Sequence, residues 1–317
     1  PSYTHLMPSD TLEAQLAVFN HERSEAERHL NELEPRLFFS PKLPACVLLS
    51  IMGELRKRTA EGAACVCREW RSAVERAKGL GMYKLRTVAA GAGGAMTAVC
   101  SVRGELLTFG EGEYGRLGHG GEYIELVPRC VEALASKHVV GAAVGYTHTA
   151  AWTDGGELFT FGQGDDGKLG HGGWEDGGWE EQLVPKLVEA LKGKKVVGAT
   201  AGYSHTAAWT EAGEIFTLGG CWDGKLAYRG QENELLAAGK KVVGAATCYH
   251  HTVVWTDAGD LYTFGNGMYG KLGHGGKEHE VVPRLVEALA GKKVVGATAG
   301  RTHTAVWTDA GKLFTFG

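Results

Sequence analysis

The feature that most constrains the fold is an internal repeat that runs from about Gly91 to Gly317. The string Gly-Glu-Leu-Phe-Thr-Phe-Gly at residues 156–162 recurs, with small changes, at 104–110, 213–219, 259–265 and 311–317. The glycines that close these copies are 52, 57, 46 and 52 residues apart. A period of about 50 residues is typical of repeat architectures, in which one supersecondary unit buries its faces against the next.

Three other signatures keep the same period and predict what each unit contains. Gly-Lys-Leu-Gly-His-Gly stands at 167–172, Leu-Val-Pro-Lys-Leu-Val-Glu-Ala-Leu stands at 183–191, and Val-Val-Gly-Ala precedes each copy of His-Thr-Ala-Ala-Trp-Thr. Glycine, at 48 of 317 residues, is frequent enough for many tight turns between short strands. Each unit therefore offers four β-prone runs. In the second unit they lie near 157–161, 183–188, 195–200 and 205–210.

A four-stranded sheet repeated about an axis predicts a β-propeller, because each blade covers its faces with its neighbours and leaves short edges. The expected fold class is mostly β, with a small all-α segment before the repeats. Four complete units begin at residues 104, 156, 213 and 259, and half-units occupy 85–101 and 311–317.

Composition excludes several classes of protein. The formal net charge of −4 gives no basis for binding nucleic acid or an anionic membrane surface. No apolar run reaches the about 18 residues of a membrane span, and the N-terminus has no signal-peptide pattern. Seven irregularly spaced cysteines favour reduced thiols in a cytosolic or nuclear protein. We expect neither a metal site nor a cofactor.

Some repeated residues resemble active-site groups, but their recurrence favours a structural interpretation. The loop from Gly162 to Lys168 follows most of the phosphate-loop pattern, yet Leu169 stands where such a loop needs Ser or Thr for magnesium. Histidine and tryptophan also recur once per unit, as His148 and Trp152 do. We interpret the histidine as a polar group that fixes a turn and the tryptophan as blade packing, and predict no catalytic residue. The corresponding residues are His205, His251, His303, Trp209, Trp255 and Trp307.

Positions where the units differ are better candidates for function, because loops vary while a scaffold repeats. The second unit carries an insertion at 173–181 with two tryptophans and four acids, interpreted either as an anchor for a basic partner segment or as a solvated loop. The third unit loses two signatures between 220 and 238. We assign partner binding to the insertion and to the residue two positions before each recurring histidine. These residues are Trp174, Glu175, Asp176, Trp179, Tyr146, Tyr203, Tyr249 and Arg301.

The segment before the repeats has helical patterns. Residues 10–34 predict one amphipathic helix, with Asp10 as its cap and Pro35 just beyond it. Its apolar stripe predicts one of two contacts: the helix packs against another part of the same chain, or two copies of it form a coiled-coil dimer. Residues 43–75 predict two more helices. The first has apolar residues at helical spacing from Leu48 to Leu55.

The four repeated signatures, in register over about 85–317, resemble the repeats of the regulator-of-chromosome-condensation family. The resemblance implies a propeller, typically of seven blades. Four complete units are too few for such a ring. We expect a truncated chain that carries part of a seven-bladed ring, and the alternatives are an open arc or a smaller ring. The expected domains are an amphipathic helix in 1–40, a helical module in 41–84 and the repeat propeller in 85–317.

The helical module resembles an F-box, in the string Leu-Pro-x3-Leu-x2-Ile-x3-Leu from Leu43 and in Val-Cys-Arg-Glu-Trp from Val66. An F-box binds the Skp-type adaptor of cullin ubiquitin ligases. An ordinary helical cap on the propeller is the alternative interpretation, because the acid usual after the proline and a helical leucine are missing. The resemblance implies that the adaptor-binding residues are Leu43, Pro44, Leu48, Ile51, Met52, Val66 and Trp70.

The order of these parts predicts a non-catalytic substrate-recognition subunit of a Skp- and cullin-type ubiquitin ligase. The adaptor would bind the helical module, and a protein substrate of unknown identity would bind the propeller. Two alternatives stay open. One is guanine-nucleotide exchange on a small GTPase, and the other is a scaffold propeller without a ubiquitin role.

Overall fold

The computed structural model describes residues 85–90, 96–172, 180–220 and 239–317, with the backbone alone for 85–90. The predicted helices at 10–34 and 43–75 lie outside these ranges, and so do residues 173–179 of the insertion. Within the described ranges the chain forms 18 strands in five antiparallel sheets, which all belong to the unit Lys78–Gly317. No helix in this part of the chain is long and apolar enough to cross a membrane.

Each sheet is one blade, and its strands follow chain order. Blade 1 contains β1 (Leu85–Ala90), β2 (Met96–Ser101), β3 (Leu106–Gly110) and β4 (Glu125–Cys130). Blade 2 contains β5 (Val139–Val144), β6 (His148–Thr153), β7 (Leu158–Gly162) and β8 (Gln182–Leu187). Blade 3 contains β9 (Val196–Ala201), β10 (His205–Thr210) and β11 (Ile215–Gly219). Blade 4 contains β12 (Val242–Thr247), β13 (His251–Thr256), β14 (Leu261–Gly265) and β15 (Glu280–Leu285). Blade 5 contains β16 (Val294–Ala299), β17 (Thr304–Thr308) and β18 (Leu313–Phe316).

Short 3-10 helices lie in the connections between strands. One set lies between the third and fourth strands, at Glu113–Gly115, Asp165–Gly167 and Met268–Gly270. The other set follows the fourth strand, at Glu132–Leu134, Glu189–Leu191 and Glu287–Leu289.

The hydrophobic core lies between blades, as a propeller requires. The first strand of each blade contacts the first strand of the next, from β1 through β5, β9 and β12 to β16. One cluster joins Leu106 and Val131 of blade 1 to Phe159 and Phe161 of blade 2, all buried. Similar clusters join the following blades in turn. The predicted mostly-β propeller architecture is confirmed.

The sequence repeat and the blade are out of phase. The four runs predicted for the second unit correspond to β7, β8, β9 and β10, of which the first two lie in blade 2 and the last two in blade 3. The unit therefore consists of the outer half of one blade and the inner half of the next. The reason is that antiparallel pairing joins strands across tight hairpins, whereas the connection from β8 to β9 passes between blades.

The recurring tryptophans pack within blades. Trp209 on β10 lies opposite Gly198 on β9, and its indole covers the glycine so closely that a Cβ there would overlap the ring. The same pairing joins Trp152 with Gly141 and Trp255 with Gly244. The interpretation of these tryptophans as packing residues is confirmed.

The direction of the strands places two kinds of connection at the same end of blades 2 and 4. In blade 2 these are the turn 145–147 between β5 and β6 and the connection 163–181 between β7 and β8. We call this end the loop face. A hydrogen bond from the Gln163 amide to the Thr147 carbonyl (3.0 Å) joins the two connections.

We expect Gly198→Ala to lower the free energy of unfolding by about 1–3 kcal/mol, because the added methyl overpacks the indole of Trp209. Gly155→Ala in the hairpin turn of blade 2 is the matched control, since the nearest atom to its Cβ is 3.6 Å away. Denaturant unfolding followed by tryptophan fluorescence measures both. Equal effects of the two substitutions would contradict the packing role.

Candidate partner-binding face

Backbone hydrogen bonds tie the turns of successive blades together on the loop face. The Tyr146 amide donates to the Gly202 carbonyl (3.1 Å), and the Tyr203 amide donates to the Cys248 carbonyl (3.0 Å). A Cβ on Gly202 would overlap the Cys248 carbonyl, so this close approach depends on glycine. The turns are therefore held in a fixed relation, and their side chains are brought together.

Four of the predicted partner-binding residues form one cluster here, and they come from four successive blades. The ring centroids of Tyr146 and Tyr203 are 4.8 Å apart, and those of Tyr203 and Tyr249 are 4.7 Å apart. Tyr146 and Tyr249 are separated by 6.5 Å, so the rings form a compact group rather than a row. The guanidinium of Arg301 lies 5.1 Å from the centroid of Tyr249. We call these four residues the tyrosine cluster.

The tyrosine cluster is accessible to a partner. Tyr203 is 39% exposed, Arg301 is exposed, and Tyr146 and Tyr249 are partly exposed. The rings present aromatic surface and hydroxyl groups, while Arg301 adds a positive charge. This combination suits a protein segment, because aromatic residues and arginine provide much of the binding energy at protein interfaces.

Buried cations support the cluster from below. Arg116 is 4% exposed, and its Nη1 donates to the Tyr146 carbonyl (3.1 Å) while its Nη2 donates to Glu113 Oε2 (3.0 Å). Lys168 and Lys271 hold the equivalent buried positions in the next matching loops. Lys168 Nζ donates to Gln163 Oε1 (2.9 Å). Arg116 and Lys168 therefore hold the loops in place through these bonds.

Three histidines of the His-Thr pairs connect neighbouring blades. His148 Nε2 lies 2.8 Å from Thr206 Oγ1, and the Thr206 hydroxyl donates to the Lys168 carbonyl (2.8 Å). Because the hydroxyl proton is used in that bond, Nε2 of His148 carries its own proton and donates it. His205 bonds to Thr252 at 3.0 Å, and His251 bonds to Thr304 at 2.9 Å. These three histidines therefore have a structural role, as predicted, and their side chains bond between blades, which the prediction of a turn did not include.

The glycine-flanked histidines anchor the loops to the third strand. Thr160 Oγ1 donates to the Leu169 carbonyl (2.6 Å) and lies 2.9 Å from His171 Nε2. The same arrangement joins Thr108 to His119 and Thr263 to His274. Burial lowers the pKa of these three histidines.

Acidic side chains gather near the described end of the insertion. Burial raises the pKa of Glu181, and so do the charge and a hydrogen bond of Glu122 and the charge of Asp165. Asp165 Oδ2 accepts a hydrogen bond from Gln163 Nε2 (2.6 Å), and the amide of Gln163 bonds to the turn that carries Tyr146. The loop face thus has carboxylates beside blade 2 and the Arg301 guanidinium at blade 5.

Other predicted site residues lie outside the described ranges. These are Trp174, Glu175, Asp176 and Trp179 of the insertion, and Leu43, Pro44, Leu48, Ile51, Met52, Val66 and Trp70 of the F-box-like module. Among the described residues, no group of three or more His, Cys, Asp and Glu side chains is placed to hold a metal ion.

Sequence reasoning missed a second exposed group on the loop face. Met268 is 49% exposed and Tyr269 is 60% exposed, and Tyr269 has a left-handed backbone with φ 66°. Tyr114 and Asp166 have the same conformation at the equivalent positions. The amide of Met268 donates to Asn266 Oδ1, and the amide of Asn266 donates to the His250 carbonyl beside Tyr249. The sequence did contain a signal for this group. The pair Met268-Tyr269 stands where the equivalent loop of blade 2 has Asp165 and Asp166.

We expect the protein to lose stability as the pH falls below about 6.5, the ordinary value for histidine. Burial, and after it the charge of Lys168, lowers the pKa of His148 to about 3, and burial and nearby cations do the same for His251. Between pH 6.5 and about pH 3, His148 and His251 are protonated in the unfolded chain but stay neutral in the folded chain. Acidification therefore favours the unfolded chain, and the stabilisation present above pH 6.5 is lost.

His148→Gln tests this origin, because a glutamine amide donates a hydrogen bond but does not titrate. Melting temperatures measured from pH 7 to pH 4 should fall less steeply for His148→Gln than for the unaltered protein. An unchanged slope would show that His148 does not contribute.

Comparison with known proteins agrees with this architecture. A family model described as the regulator of chromosome condensation (RCC1) repeat matches residues 103–152, 155–209 and 258–307. The matches leave out 210–257, where the repeat signatures are weakest. The human E3 ubiquitin-protein ligase HERC2 is 32% identical over 247 residues, which are 75% of this chain but 5% of that protein. The chain therefore spans a small part of this relative.

Two crystal structures show the same fold. Human WBSCR16 superposes with a TM-score of 0.64 at 24% identity, over 74% of this chain and 62% of that one. Prp20p from Saccharomyces cerevisiae superposes with a TM-score of 0.57 at 19% identity, over 70% of this chain and 56% of that one. The described part of the chain therefore carries regulator of chromosome condensation repeats and has the propeller fold of proteins built from them.

Proposed function

We propose that the propeller captures a protein partner on its loop face, and that the chain serves as a substrate-recognition subunit of a Skp- and cullin-type ubiquitin ligase. The observation that carries the first part is the tyrosine cluster, in which Tyr146, Tyr203, Tyr249 and Arg301 meet from four blades. Such a group offers a rigid, partly exposed aromatic anchor. It needs no catalytic residue, because a recognition subunit acts by bringing its substrate close to the enzyme.

The charges of the loop face favour a partner segment of mixed sign. A basic residue would be attracted by Glu122, Asp165 and Glu181. Burial raises the pKa of Glu181, and so do the nearby charges of Glu122 and Asp165. An acidic residue would pair with Arg301 beside Tyr249. Complementary charges of this kind mainly determine how a partner is oriented on the surface, and they contribute less to how tightly it binds.

The ubiquitin-ligase part of the proposal has two supports. One is the F-box-like pattern of residues 43–70. The other is the similarity to HERC2, which is named as an E3 ubiquitin-protein ligase. The shared region is only 5% of that relative, so the similarity concerns the repeats alone. Experiment must test whether this chain has a role in a ligase.

A second candidate function is binding of a small GTPase with exchange of its guanine nucleotide. The observation in its favour is the fold shared with Prp20p, whose structure was reported with its binding properties to Gsp1p and histones. Nucleotide release from a panel of purified small GTPases distinguishes this function, since a recognition subunit should leave the release rates unchanged.

We expect the full-length chain to bind a purified Skp-type adaptor in a pull-down, and we expect Leu48→Asp and Trp70→Ala to abolish that binding. The Leu48→Asp change would place a charge on the apolar face of the first predicted helix of the module. The Trp70→Ala change would remove a large apolar side chain from the second. Tyr203→Ala is the matched control and should bind the adaptor normally. Unchanged adaptor binding by both module variants argues against the F-box assignment.

We expect Tyr203→Ala combined with Tyr249→Ala to reduce partner capture by roughly tenfold or more, because two anchor side chains are lost. Quantitative mass spectrometry of immunoprecipitates measures this, with bound adaptor as the internal standard. Tyr123→Ala is the control, since Tyr123 is 84% exposed and lies outside the cluster. Equal losses for the control and the double variant would contradict the assignment.

A further inference from the structure

The end of the blades opposite the loop face carries a repeated ion pair, and we call this end the hairpin face. In blades 2 to 5 the hairpin between the second and third strands lies there, and a lysine or histidine stands just before the first strand. In blades 2, 3 and 4 a lysine of this segment pairs with an acid that follows it by 20 residues, at the end of the hairpin turn. The pairs are Lys137 with Glu157 at 2.8 Å, Lys194 with Glu214 at 2.5 Å, and Lys240 with Asp260 at 2.7 Å.

Blade 5 has a lysine where these blades have the acid. Lys312 follows Lys292 by the same interval, so two lysines occupy the positions of an ion pair. The backbone is unchanged, because the Asp309 amide donates to the Lys293 carbonyl (3.0 Å), and the equivalent bonds of blades 3 and 4 measure 2.8 and 2.9 Å. The difference between blade 5 and the others is therefore one of charge and not of backbone conformation.

The ammonium of Lys292 lies where its counterparts bind a carboxylate. Its Nζ is 5.8 Å from the ring centroid of Phe314, and the lysines of blades 2 and 3 lie 5.7 and 5.6 Å from their phenylalanines. The same Nζ donates to the Ala288 carbonyl (2.9 Å). An ammonium has three protons, so two remain for a further acceptor. Lys292 is thus already positioned for an acidic group that the hairpin of blade 5 does not supply.

This part of blade 5 carries excess positive charge. We call Lys292, Lys293 and Lys312 the lysine corner. All three are exposed, and none forms an ion pair with another residue of the part of the chain that the structure describes. The acids on the adjoining turns are Asp309 and Glu287, so three positive charges stand against two negative ones. An added carboxylate would reduce the repulsion among the lysines.

We propose that the lysine corner binds an acidic segment of a partner protein, and that a glutamate or aspartate of this segment lies between Lys292 and Lys312. The chemistry follows from the other blades, where a side-chain carboxylate of the hairpin occupies the equivalent position. The partner would complete in blade 5 the ion pair that blades 2, 3 and 4 make within the chain.

The surroundings favour a protein segment over a nucleic acid or an anionic membrane. Those two ligands need an extended basic surface, such as a stripe or a cluster of four to eight basic residues. On the hairpin face the lysines of blades 2, 3 and 4 are paired with acids, so the excess charge is confined to one corner. A confined excess suits one or two carboxylates.

The lysine corner is separate from the proposed binding site for a substrate. Arg301 precedes β17 on the loop face, whereas Lys312 follows β17 on the hairpin face. Binding at the lysine corner therefore uses no residue of the tyrosine cluster. The proposal can fail while the proposed function holds, and the reverse is also true.

The probe is a fluorescein-labelled peptide, Gly-Glu-Glu-Glu-Glu-Gly, titrated with the full-length protein at low ionic strength and followed by fluorescence anisotropy. We expect saturable binding, and at least roughly tenfold weaker binding of the peptide with glutamine in place of glutamate. Raising the ionic strength should weaken the binding, because exposed charges are screened. Absence of saturable binding, or equal binding of both peptides, overturns the proposal.

Lys312→Glu is the most informative variant, because it gives blade 5 the ion pair of the other blades. We expect roughly fivefold weaker peptide binding or more, with a melting temperature that is unchanged or raised. Lys277→Glu is the matched control, since Lys277 is an exposed lysine of the loop face and the change in net charge is the same. Equal losses in the two variants would mean that the peptide responds to total charge, and would overturn the proposal. If Lys312→Glu lowers the melting temperature, Lys312→Gln replaces it in the same comparison.

Two further measurements exclude other sites and ligands. Arg301→Ala should leave peptide binding unchanged, and a loss with this variant would place the peptide on the loop face and overturn the proposal. Vesicles of phosphatidylcholine with phosphatidylserine should not co-sediment with the protein. Co-sedimentation that Lys312→Glu abolishes would identify a membrane as the ligand, and this also overturns the proposal.

Discussion

One threonine hydroxyl at each seam holds neighbouring blades in register. Thr206 donates to the Lys168 carbonyl and accepts from His148, so both partners belong to blade 2 while the threonine belongs to blade 3. Apolar packing between blades is strong but has little directional preference. The hydroxyl supplies the direction, because each of its bonds has a preferred distance and angle. The turns on the loop face follow from this alignment, and so does the spacing of the tyrosine cluster.

The same bonds determine the charge state of the seam. A neutral imidazole fits between the threonine hydroxyl and the apolar strands, whereas an imidazolium would be buried beside Lys168. Positive charge near the loop face is therefore carried by residues such as Arg116, Lys168, Lys271 and Arg301, and not by His148 or His251, whose pKa burial lowers to about 3. This separation lets the seam stay rigid while the residues above it carry the interactions with a partner.

The sequence predicted the propeller and the packing role of the tryptophans because both depend on residues that recur at a fixed period. It also predicted that Tyr146, Tyr203, Tyr249 and Arg301 share a surface, since equivalent positions in successive blades lie side by side. It did not predict the partners of His148, because a hydrogen bond between residues 58 positions apart depends on how blades stack. The exposed Met268 and Tyr269 were missed because a single loop that departs from the others has no periodic signal.

The offset between the repeat and the blade bears on how such a chain can grow or shrink. Each repeat begins and ends near a hairpin turn inside a blade, so a gene duplication or deletion of one repeat cuts through the middle of a sheet. The two half-blades that meet at such a cut pair through backbone hydrogen bonds, and these bonds can form between strands of many different sequences. At each seam the loop carbonyl and the threonine that donates to it lie within one repeat, as Lys168 and Thr206 do, while the histidine comes from the preceding repeat, as His148 does. Because the histidine and the threonine both recur from repeat to repeat, neighbouring repeats keep matching partners. Recombination between repeats can therefore change the number of blades without creating mismatched seams.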